Sequence, residues 1–447
     1  MNRRNFLVAA AFGGSAMTST ALSATDAPAG EHPVPVKNPR STSGDSVEPA
    51  WDERLTITVG PANADLVGSN EKAIQAAVDS VARWGGGTVK VLPGTYRFRN
   101  AVYLQSNVRV FGSGLDSVII KEPSVSATLS EDSDWYDQEI TFAGAAGFRI
   151  GDGICLRVKN MQEGGTKVIK RTLVARNGNR FKLDRALRDN IWLAGEPKAK
   201  SLFPLFSGEN IAGVTIEDIA LDGNKANNEN LDGNYAGCIW MQDCNRITIR
   251  KVTARNYNGD GISWQICHDV LVEDCHSHDH TGLGLHPGSG SQRSLIRRNR
   301  MVGNDQGLYF CWGVRWGLAE QNYIEGSKRY GISIGHHDTD NIVRDNEIRA
   351  SREVGILFRK ERGAAFQGNR NRIEKNRILG ITAERGIGID IQAQTREIAL
   401  IGNDLREDQA PAKRVGIRIG AEADRIALEG NHIEGFAEPV LDLRKNS

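Results

Sequence analysis

The stretch GISIGHHDTDNIVRDNEIRASREVGILF, from Gly331 to Phe358, contains one complete unit of a repeat and the start of the next. A glycine opens a run in which apolar and polar residues alternate, a polar turn follows, and a second short apolar run ends in the next glycine-opened run. Alternation with a period of two predicts short β-strands with one buried face. The 3.6-residue period of helical repeats is absent, so we interpret each unit as strands joined by turns.

The same unit recurs from about residue 205 to the C-terminal region. The glycines that open the first strand are Gly237, Gly261, Gly284, Gly307, Gly331, Gly355, Gly388 and Gly416, at spacings of 24, 23, 23, 24, 24, 33 and 28 residues. Self-similarity at such a period indicates a solenoid. The regular leucines of leucine-rich repeats are missing, so we predict an all-β parallel β-helix with coils stacked about 4.8 Å apart.

An asparagine recurs at one equivalent place in the second strand of most units. These residues are Asn299, Asn322, Asn346, Asn376, Asn403 and Asn431. Stacked turn asparagines are expected to hydrogen-bond from coil to coil.

A helix is predicted to cover the N-terminal end of the solenoid. The stretch NEKAIQAAVDSVARWGGGTVKVLPGTYRF places Asn70 as the N-cap. The apolar face of this helix consists of Ile74, Ala77, Val78 and Val81. The open end of a β-helix needs such a cover, because unpaired strand edges aggregate.

The helix, followed by GGGTV, LPGTY and SNVRVFGSG, resembles the N-terminus of the pectate-lyase/rhamnogalacturonase-like, or pectin-lyase-like, superfamily of right-handed parallel β-helices. The resemblance covers about residues 55–440. It implies a right-handed solenoid and a polysaccharide or oligosaccharide bound in a long groove. Similarity of fold sets only an expectation for function.

Residues 1–24 are similar to a twin-arginine export signal, with Arg3 and Arg4 before a short apolar run. This implies the twin-arginine export machinery as a partner and a periplasmic or secreted product without a stable membrane anchor. We further predict a flexible linker (25–50), an N-terminal cap with the first coils (51–139), a small β insertion (140–190), coils that carry the site (191–440) and a tail (441–447). Whether the insertion shapes the groove or mediates association stays open.

The composition excludes several classes of protein. Lys+Arg total 56 and Asp+Glu 55, which argues against a nucleic-acid binder or a membrane-surface binder. The six cysteines include no CxxC pair, so a zinc site of the usual spacing is not expected. We favour buried small side chains for the cysteines over disulfides.

The glycine register predicts one functional face. The first and third residues after each glycine are apolar and point inward, so the second and fourth point outward. The outward residues are Ser263, Gln265, His286, Tyr309, Cys311, Ser333, Leu357, Arg359, Asp390, Gln392 and Arg418. The turns that follow these strands add Trp312, His336, His337, Asp338, Lys360 and Glu361.

The reaction most favoured is β-elimination on a uronate-containing glycan. It needs a cation for the carboxylate, a base and an acid. Arg359 and Lys360 suit the first role, and His286, His336, His337 or Tyr309 suit the other two. Calcium supplies the charge in some members of the superfamily, and Asp338, Asp340, Glu361 and Asp390 offer oxygen ligands. Substrate contacts are assigned to Trp312, Gln265, Asp338, Glu361, Asp390 and Gln392.

Two alternatives stay open. NGDGISW, GISIGH and LFRK are similar to motifs of polygalacturonase-like hydrolases, which pair two carboxylates. The paired aspartates of that branch are missing, however, and HDHTGLGLH stands in their place, so Asp260 with Asp279 or Asp305 is the best hydrolytic pair. In the coil that contains HDHTGLGLH, either Gly282 or Gly284 fits as the glycine that opens the first strand. The second alternative is a non-catalytic glycan-binding β-helix.

Overall fold

The computed structural model describes residues 48–145, 147–161, 164–408 and 413–444. The predicted export signal at 1–24 and all but the last three residues of the predicted linker at 25–50 lie outside these residues and stay predictions. The predicted tail begins inside a strand, Glu438–Asp442, and its last three residues lie outside the described ranges. Within the described ranges, no helix is both long and apolar enough to cross a membrane.

The α-helix Glu71–Arg83 covers the N-terminal coils as predicted. Asn70 caps it, because its side-chain oxygen accepts hydrogen bonds from the backbone N–H groups of Lys72 and Ala73. All four residues of the predicted apolar face are fully buried. Short 3₁₀ helices occupy Trp51–Glu53, Leu193–Gly195, Lys225–Asn227 and Ala364–Phe366.

One strand from each coil contributes to a parallel sheet that we call sheet I. Its eleven strands are Val102–Tyr103, Phe206–Glu209, Ile239–Gln242, Ile262–Gln265, Leu283–Gly288, Gln306–Tyr309, Tyr330–Ile334, Val354–Phe358, Ile387–Ile391, Val415–Ile419 and Glu438–Asp442. Each strand pairs with its equivalent in the next coil, which is the pairing that a β-helix requires.

The other two walls of the solenoid form one continuous sheet that we call sheet II. Its strands are Leu55–Gly60, Leu66–Val67, Gly87–Val91, Gly94–Phe98, Val108–Lys121, Ala212–Asp222, Asn245–Arg250, Thr253–Arg255, His268–Glu273, His276–His278, Leu295–Arg297, Arg300–Val302, Leu318–Glu320, Tyr323–Glu325, Ile342–Arg344, Glu347–Arg349, Arg372–Glu374, Arg377–Leu379, Arg396–Ile401, Asp404–Arg406, Asp424–Glu429 and His432–Glu434. The long strands Val108–Lys121 and Ala212–Asp222 pass through both walls and join them.

The interior confirms the predicted glycine register. The inward residues of sheet I, such as Ile262, Trp264, Leu308 and Phe310, are buried in the core of the solenoid. Leu285 pairs with both Ile262 and Leu308, so the opening glycine of its coil is Gly284 rather than Gly282. The six cysteines are free and buried, as favoured from the sequence.

The predicted asparagine ladder is also present. Asn322 donates from its backbone and side-chain nitrogens to the side-chain oxygen of Asn346, at 3.0 and 2.9 Å, and the side-chain nitrogen also donates to the backbone oxygen of Ile296 at 2.9 Å. The same pattern runs from Asn299 to Asn431. Each coil is therefore tied to the next by a buried amide.

The β insertion is a separate antiparallel sheet, and it is larger than the predicted 140–190. Its strands are Ser126–Thr128, Glu139–Thr141, Gly153–Lys159, Thr166–Asn177, Arg180–Leu183 and Lys198–Lys200. It has its own core, in which the rings of Phe142 and Phe148 stack at 4.6 Å. The outer strands are only three residues long, so they carry no periodicity that the sequence could reveal.

Candidate active site on the outer face of sheet I

The outward residues of sheet I form one row across the coils. The row consists of Trp240, Ser263, His286, Tyr309, Ser333, Leu357, Asp390 and Arg418. Neighbouring members lie about one interstrand spacing apart, about 4.8 Å. Residues separated by up to 178 positions in sequence, from Trp240 to Arg418, thus share the outer face of sheet I, and Tyr309 and Arg418 are its more exposed members.

Asp260 and His286 form a buried ion pair in this row. Nδ1 of His286 lies 2.7 Å from Oδ2 of Asp260, while Oδ1 of Asp260 accepts from the backbone N–H of Leu283. Burial lowers the pKa of His286, but the Asp260 carboxylate and the Cys311 thiol outweigh it and raise that pKa to about 10. At neutral pH His286 is therefore a cation. Its Nε2 has no hydrogen-bond partner in the described part of the chain.

Tyr309 lies between two positive charges. Its ring meets the His286 ring edge-on at 5.6 Å, and the guanidinium carbon of Arg359 stands 4.2 Å from its centroid. Burial raises the pKa of Tyr309 to about 12, against the opposing effect of Arg359. Tyr309 therefore keeps its proton at neutral pH and is available as an acid.

Arg359 is held rigidly above Gly335. Its guanidinium donates to Ser333 Oγ at 2.8 Å and to the backbone oxygen of Phe310 at 2.9 Å, and Asp338 lies 3.3 Å away. A Cβ on Gly335 would lie 2.3 Å from Arg359 Nη2, so this approach requires a glycine. The strand end thus places a cation over Tyr309 in a fixed geometry.

An aromatic cluster borders the row at the turns. Trp312 is 59% exposed and stacks on His336 with centroids 4.4 Å apart. His336 also contacts His337 and Phe366, and its Nδ1 lies 3.5 Å from Glu361 Oε2. Burial and the neighbouring His336 lower the pKa of His337. An indole backed by further rings presents a flat apolar surface to solvent.

The three carboxylates considered for a hydrolytic pair each have a different partner. Asp279 follows the sheet II strand His276–His278 and is bound by His278 Nδ1 at 2.7 Å. Asp305 is paired with Arg329 at 2.7 Å. Asp260 is the one of the three carboxylates that contacts His286. With Gly284 as the opening glycine, Asp279 falls in the turn before the first strand of its coil.

Three of the residues predicted to contact substrate are buried and engaged by other groups of the protein. Asp338 is fully buried and accepts from the backbone N–H groups of Gly313, Val314 and Gly335. Asp390 is 1% exposed and binds Arg418 through two hydrogen bonds of 2.7 and 2.6 Å. Gln265 is buried with its amide nitrogen on Ser263.

The remaining predicted residues stay within reach of solvent. Glu361 borders the aromatic cluster beside His336 and Arg359. Gln392 is half-buried and accepts from the backbone N–H of Lys360, whose side chain is exposed.

The oxygen residues proposed for calcium do not form a site. Asp338, Asp340 and Asp390 are each engaged by a different arginine: Arg359, Arg370 and Arg418, respectively. Across the described ranges, no group of three or more His, Cys, Asp or Glu side chains could hold a metal ion.

Sequence reasoning missed the cover of the Asp260–His286 pair. The segment 228–236 crosses the outer face, and Ser263 Oγ donates to the backbone oxygen of Gly233 at 2.7 Å. A Cβ on Gly233 would lie 1.7 Å from Asp260 Oδ2. The sequence also predicts Cys311 on the outer face without a role in the site. In the structure the Cys311 side chain helps to raise the pKa of His286. The sequence signal for this cover was that residues 228–236 contain a glycine and do not fit the register of the coils.

Two cavities lie toward the ends of the row. The N-terminal cavity, of about 280 Å³, is lined by the insertion, by the segment 228–236 and by Glu209, Trp240 and Gln242 of sheet I. The C-terminal cavity, of about 300 Å³, is lined by residues that include Tyr330, Leu357, Asp390 and Arg418. His286 and Tyr309 lie between these cavities, so the whole arrangement is an elongated surface.

Residues 237–405 match a family model described as a right-handed β-helix region. The fold is a right-handed parallel β-helix. The chain is similar to the A-module of the mannuronan C-5 epimerase AlgE6 from Azotobacter vinelandii, at 16% identity and a TM-score of 0.50, over 83% of this chain and 91% of that one.

Two further solved structures are also similar to this chain. PfbA, a surface adhesin of Streptococcus pneumoniae, is 14% identical with a TM-score of 0.51, over 81% of this chain and 80% of that one. An exopolygalacturonase from Thermotoga maritima is 13% identical with a TM-score of 0.41, over 84% and 89%. At such identities the shared feature is the fold. No curated protein matches this chain by sequence.

Proposed function

We propose that this protein is a glycan-processing enzyme that cleaves a uronate-containing polysaccharide or oligosaccharide by β-elimination on the outer face of sheet I. The observation that carries the proposal is the placement of Tyr309 between the His286 cation and Arg359. A neutral phenol flanked by two cations suits a reaction that builds negative charge beside a carboxylate. The mannuronan epimerase module is a precedent for glycan chemistry on this kind of scaffold, and it sets no more than an expectation.

The proposed chemistry assigns one role to each group. Arg359 stabilises the uronate carboxylate and the enolate that forms from it, and the buried His286 cation adds positive charge behind Tyr309 from beneath the segment 228–236. His336, with Nδ1 directed to Glu361, takes the proton from the carbon next to the carboxylate. The bond to the glycosidic oxygen then breaks, a carbon–carbon double bond forms in the ring, and Tyr309 donates its proton to the leaving oxygen.

Hydrolysis fits these residues less well. Hydrolysis that retains the anomeric configuration needs two carboxyl groups about 5 Å apart, and hydrolysis that inverts it needs them about 6.5–9.5 Å apart. In both cases the substrate must reach the two groups. Asp260, Asp338 and Asp390 are all buried and each is paired with a cation. Non-catalytic glycan binding is the second candidate, because the exposed Trp312 on His336 would also suit a binding surface.

The test follows two products in parallel. Purified protein is mixed with polygalacturonate, alginate and neutral glycans, while the ultraviolet absorbance of unsaturated uronate and the number of reducing ends are recorded. We expect both signals to rise together on an acidic glycan and on no neutral one. Reducing ends without absorbance would indicate hydrolysis and overturn the proposal, and binding without either signal would favour the non-catalytic candidate.

Two matched histidine variants make this test specific. His336→Gln removes the proposed base and is expected to lower kcat by about 100-fold or more. His432→Gln is the control, because His432 is exposed on sheet II in the last coils and pairs only with Asp404. Equal activity of the two variants would remove His336 from the mechanism.

A further inference from the structure

The insertion forms one wall of the N-terminal cavity. Strand Thr166–Asn177 and the segment 184–189 of the insertion face Glu209, Trp240 and Gln242 of sheet I across about 280 Å³. Tyr235, from the segment that covers His286, forms part of the same wall. The insertion, the segment 228–236 and the first strands of sheet I therefore build one cavity at the N-terminal end of the row.

The charges around this cavity are mainly positive. Lys170, Arg171, Arg185 and Arg188 line it, against Asp189 and Glu209. Asp189 is already paired with Lys167, at 2.5 Å. Arg171 donates to the backbone oxygens of Lys170, Ala186 and Leu187, so it is engaged by the insertion itself. Arg185 Nε also lies 3.9 Å from Asp184 Oδ2, an exposed pair outside the lining. Within the lining, Lys170, Arg185 and Arg188 thus face one remaining carboxylate, that of Glu209.

Trp240 provides a second, independent observation. It is 2% exposed, yet its indole N–H has no hydrogen-bond partner in the part of the chain that the structure describes. The ammonium of Lys170 stands 3.1 Å above its ring and donates to the backbone oxygen of Tyr235. Burial lowers the pKa of Lys170 to about 7. A buried donor without an acceptor is unfavourable, and an acceptor on a ligand would remove that cost.

We infer that the N-terminal cavity is an anion-binding subsite that holds the carboxylate of an acidic sugar unit remote from the reacting bond. Arg185 and Arg188 attract the carboxylate, Lys170 adds a donor, and the indole N–H of Trp240 offers a hydrogen bond to a sugar oxygen. The inferred role of the insertion is therefore to shape the groove.

The position of the cavity fits a substrate that also reaches the proposed reaction centre. Trp240 pairs with Ser263, and Ser263 pairs with His286. Two interstrand spacings, or about 10 Å, therefore separate the cavity from the Asp260–His286 pair. This step rests on the proposed function, because it assumes that one acidic glycan occupies both places.

Binding of matched acidic and neutral oligomers tests the inference. Hexamers of galacturonate, mannuronate and glucuronate are titrated by calorimetry beside their methyl esters, which have the same sugars without charge. We expect the full chain to bind one acid form about tenfold or more tightly than its ester, and Arg185→Ala/Arg188→Ala to lose that difference. Trp240→Phe keeps the ring and is expected to weaken binding of the same acid hexamer severalfold.

A control variant separates this cavity from general surface charge. Arg180→Ala/Lys182→Ala removes two cations from the same insertion, where both pair with Glu139 outside the cavity. It should bind as the unmodified chain does. Equal binding of acids and esters, or equal losses in the two double variants, would overturn the inference.

Failure of the subsite and failure of the proposed reaction give different results. If the unmodified chain carries out elimination but Arg185→Ala/Arg188→Ala binds the acid hexamer with unchanged affinity, the inferred subsite is wrong and the proposed reaction stands. If the chain binds the acid hexamer selectively, the double variant loses this selectivity, and no uronate is cleaved by elimination, the subsite stands and the proposed reaction is wrong.

Discussion

His286 and Asp260 are 3% and 4% exposed, and this burial decides what each residue can do. A buried cation is tolerated only with a close anion, and the 2.7 Å contact provides one. The carboxylate is thereby neutralised and is a poor hydrolytic base. The imidazolium instead becomes a fixed positive charge beside Tyr309.

The Asp260–His286 pair predicts a pH-dependent stability. The pKa of His286 is raised from about 6.5 when unfolded to about 10 when folded. Its contribution to stability is therefore complete below about pH 6.5 and is lost as the pH rises toward 10. Asp260→Asn should lower the free energy of unfolding by about 3 kcal/mol at pH 6.5 and flatten its decline to pH 10.

Urea unfolding at several pH values between these limits measures this effect. Asp404→Asn is the control, because His432 in the Asp404–His432 pair is 58% exposed and the pair should contribute little. A decline with pH that is as steep in Asp260→Asn as in the unmodified chain would contradict the assignment.

Tyr309→Phe isolates the proposed acid. The ring and its contacts with His286 and Arg359 remain, while the hydroxyl is lost. We expect kcat to fall by about 100-fold or more with little change in KM, because only the proton transfer is removed. Tyr323→Phe, on sheet II below Arg300, is the matched control. An unchanged kcat in a correctly folded Tyr309→Phe protein would exclude Tyr309 as the acid.

At the scale of the element, the coils can be predicted from the sequence, whereas the segment 228–236 and the outer strands of the insertion cannot. Side-chain alternation and the asparagine spacing are local consequences of strand geometry, so the sequence predicts the sheet I register and the ladder from Asn299 to Asn431. The segment 228–236 lies over His286 through a contact between coils, and no local pattern encodes such a contact. The outer strands of the insertion are three residues long, which is too short for a period.

Gly233→Ala tests the segment that covers the site. The new Cβ would lie 1.7 Å from Asp260 Oδ2 and 2.8 Å from His286 Nδ1, so the segment must shift. We expect kcat/KM to fall on the order of tenfold to a hundredfold, because His286 is displaced. Gly363→Ala is the control, since its Cβ would meet nothing within 4 Å. Full activity of Gly233→Ala would show that the position of this segment does not matter.

Asn346→Ala tests the ladder. It removes the acceptor for two nitrogens of Asn322 and the donor to the backbone oxygen of Ala319, all of them buried. Because buried polar groups are left unpaired, we expect a loss of about 3 kcal/mol in the free energy of unfolding. Asn431→Ala, at the more exposed end of the ladder, should lose about 1 kcal/mol. Equal losses in thermal or urea unfolding would argue against a cooperative ladder.

At the scale of the whole molecule, stacking turns eight coils into one surface. From Trp240 to Arg418 the row crosses seven interstrand spacings of about 4.8 Å, or about 34 Å. The two cavities lie toward its ends, and Tyr309 lies near its middle. A surface of this length, with its proposed chemistry at the centre, suits an extended substrate held on both sides of the reacting bond.

This layout predicts that catalysis depends on substrate length. For a series of oligouronates, kcat/KM should rise with each added sugar until both cavities are filled and should then level off, because remote binding energy contributes to the transition state. Arg385→Ala removes an exposed cation from the C-terminal cavity. It should lower kcat/KM for long oligomers while leaving the shortest substrate unaffected. Arg425→Ala, on an exposed strand of sheet II, is the control. A value of kcat/KM that is independent of length would mean that the cavities take no part in binding the substrate.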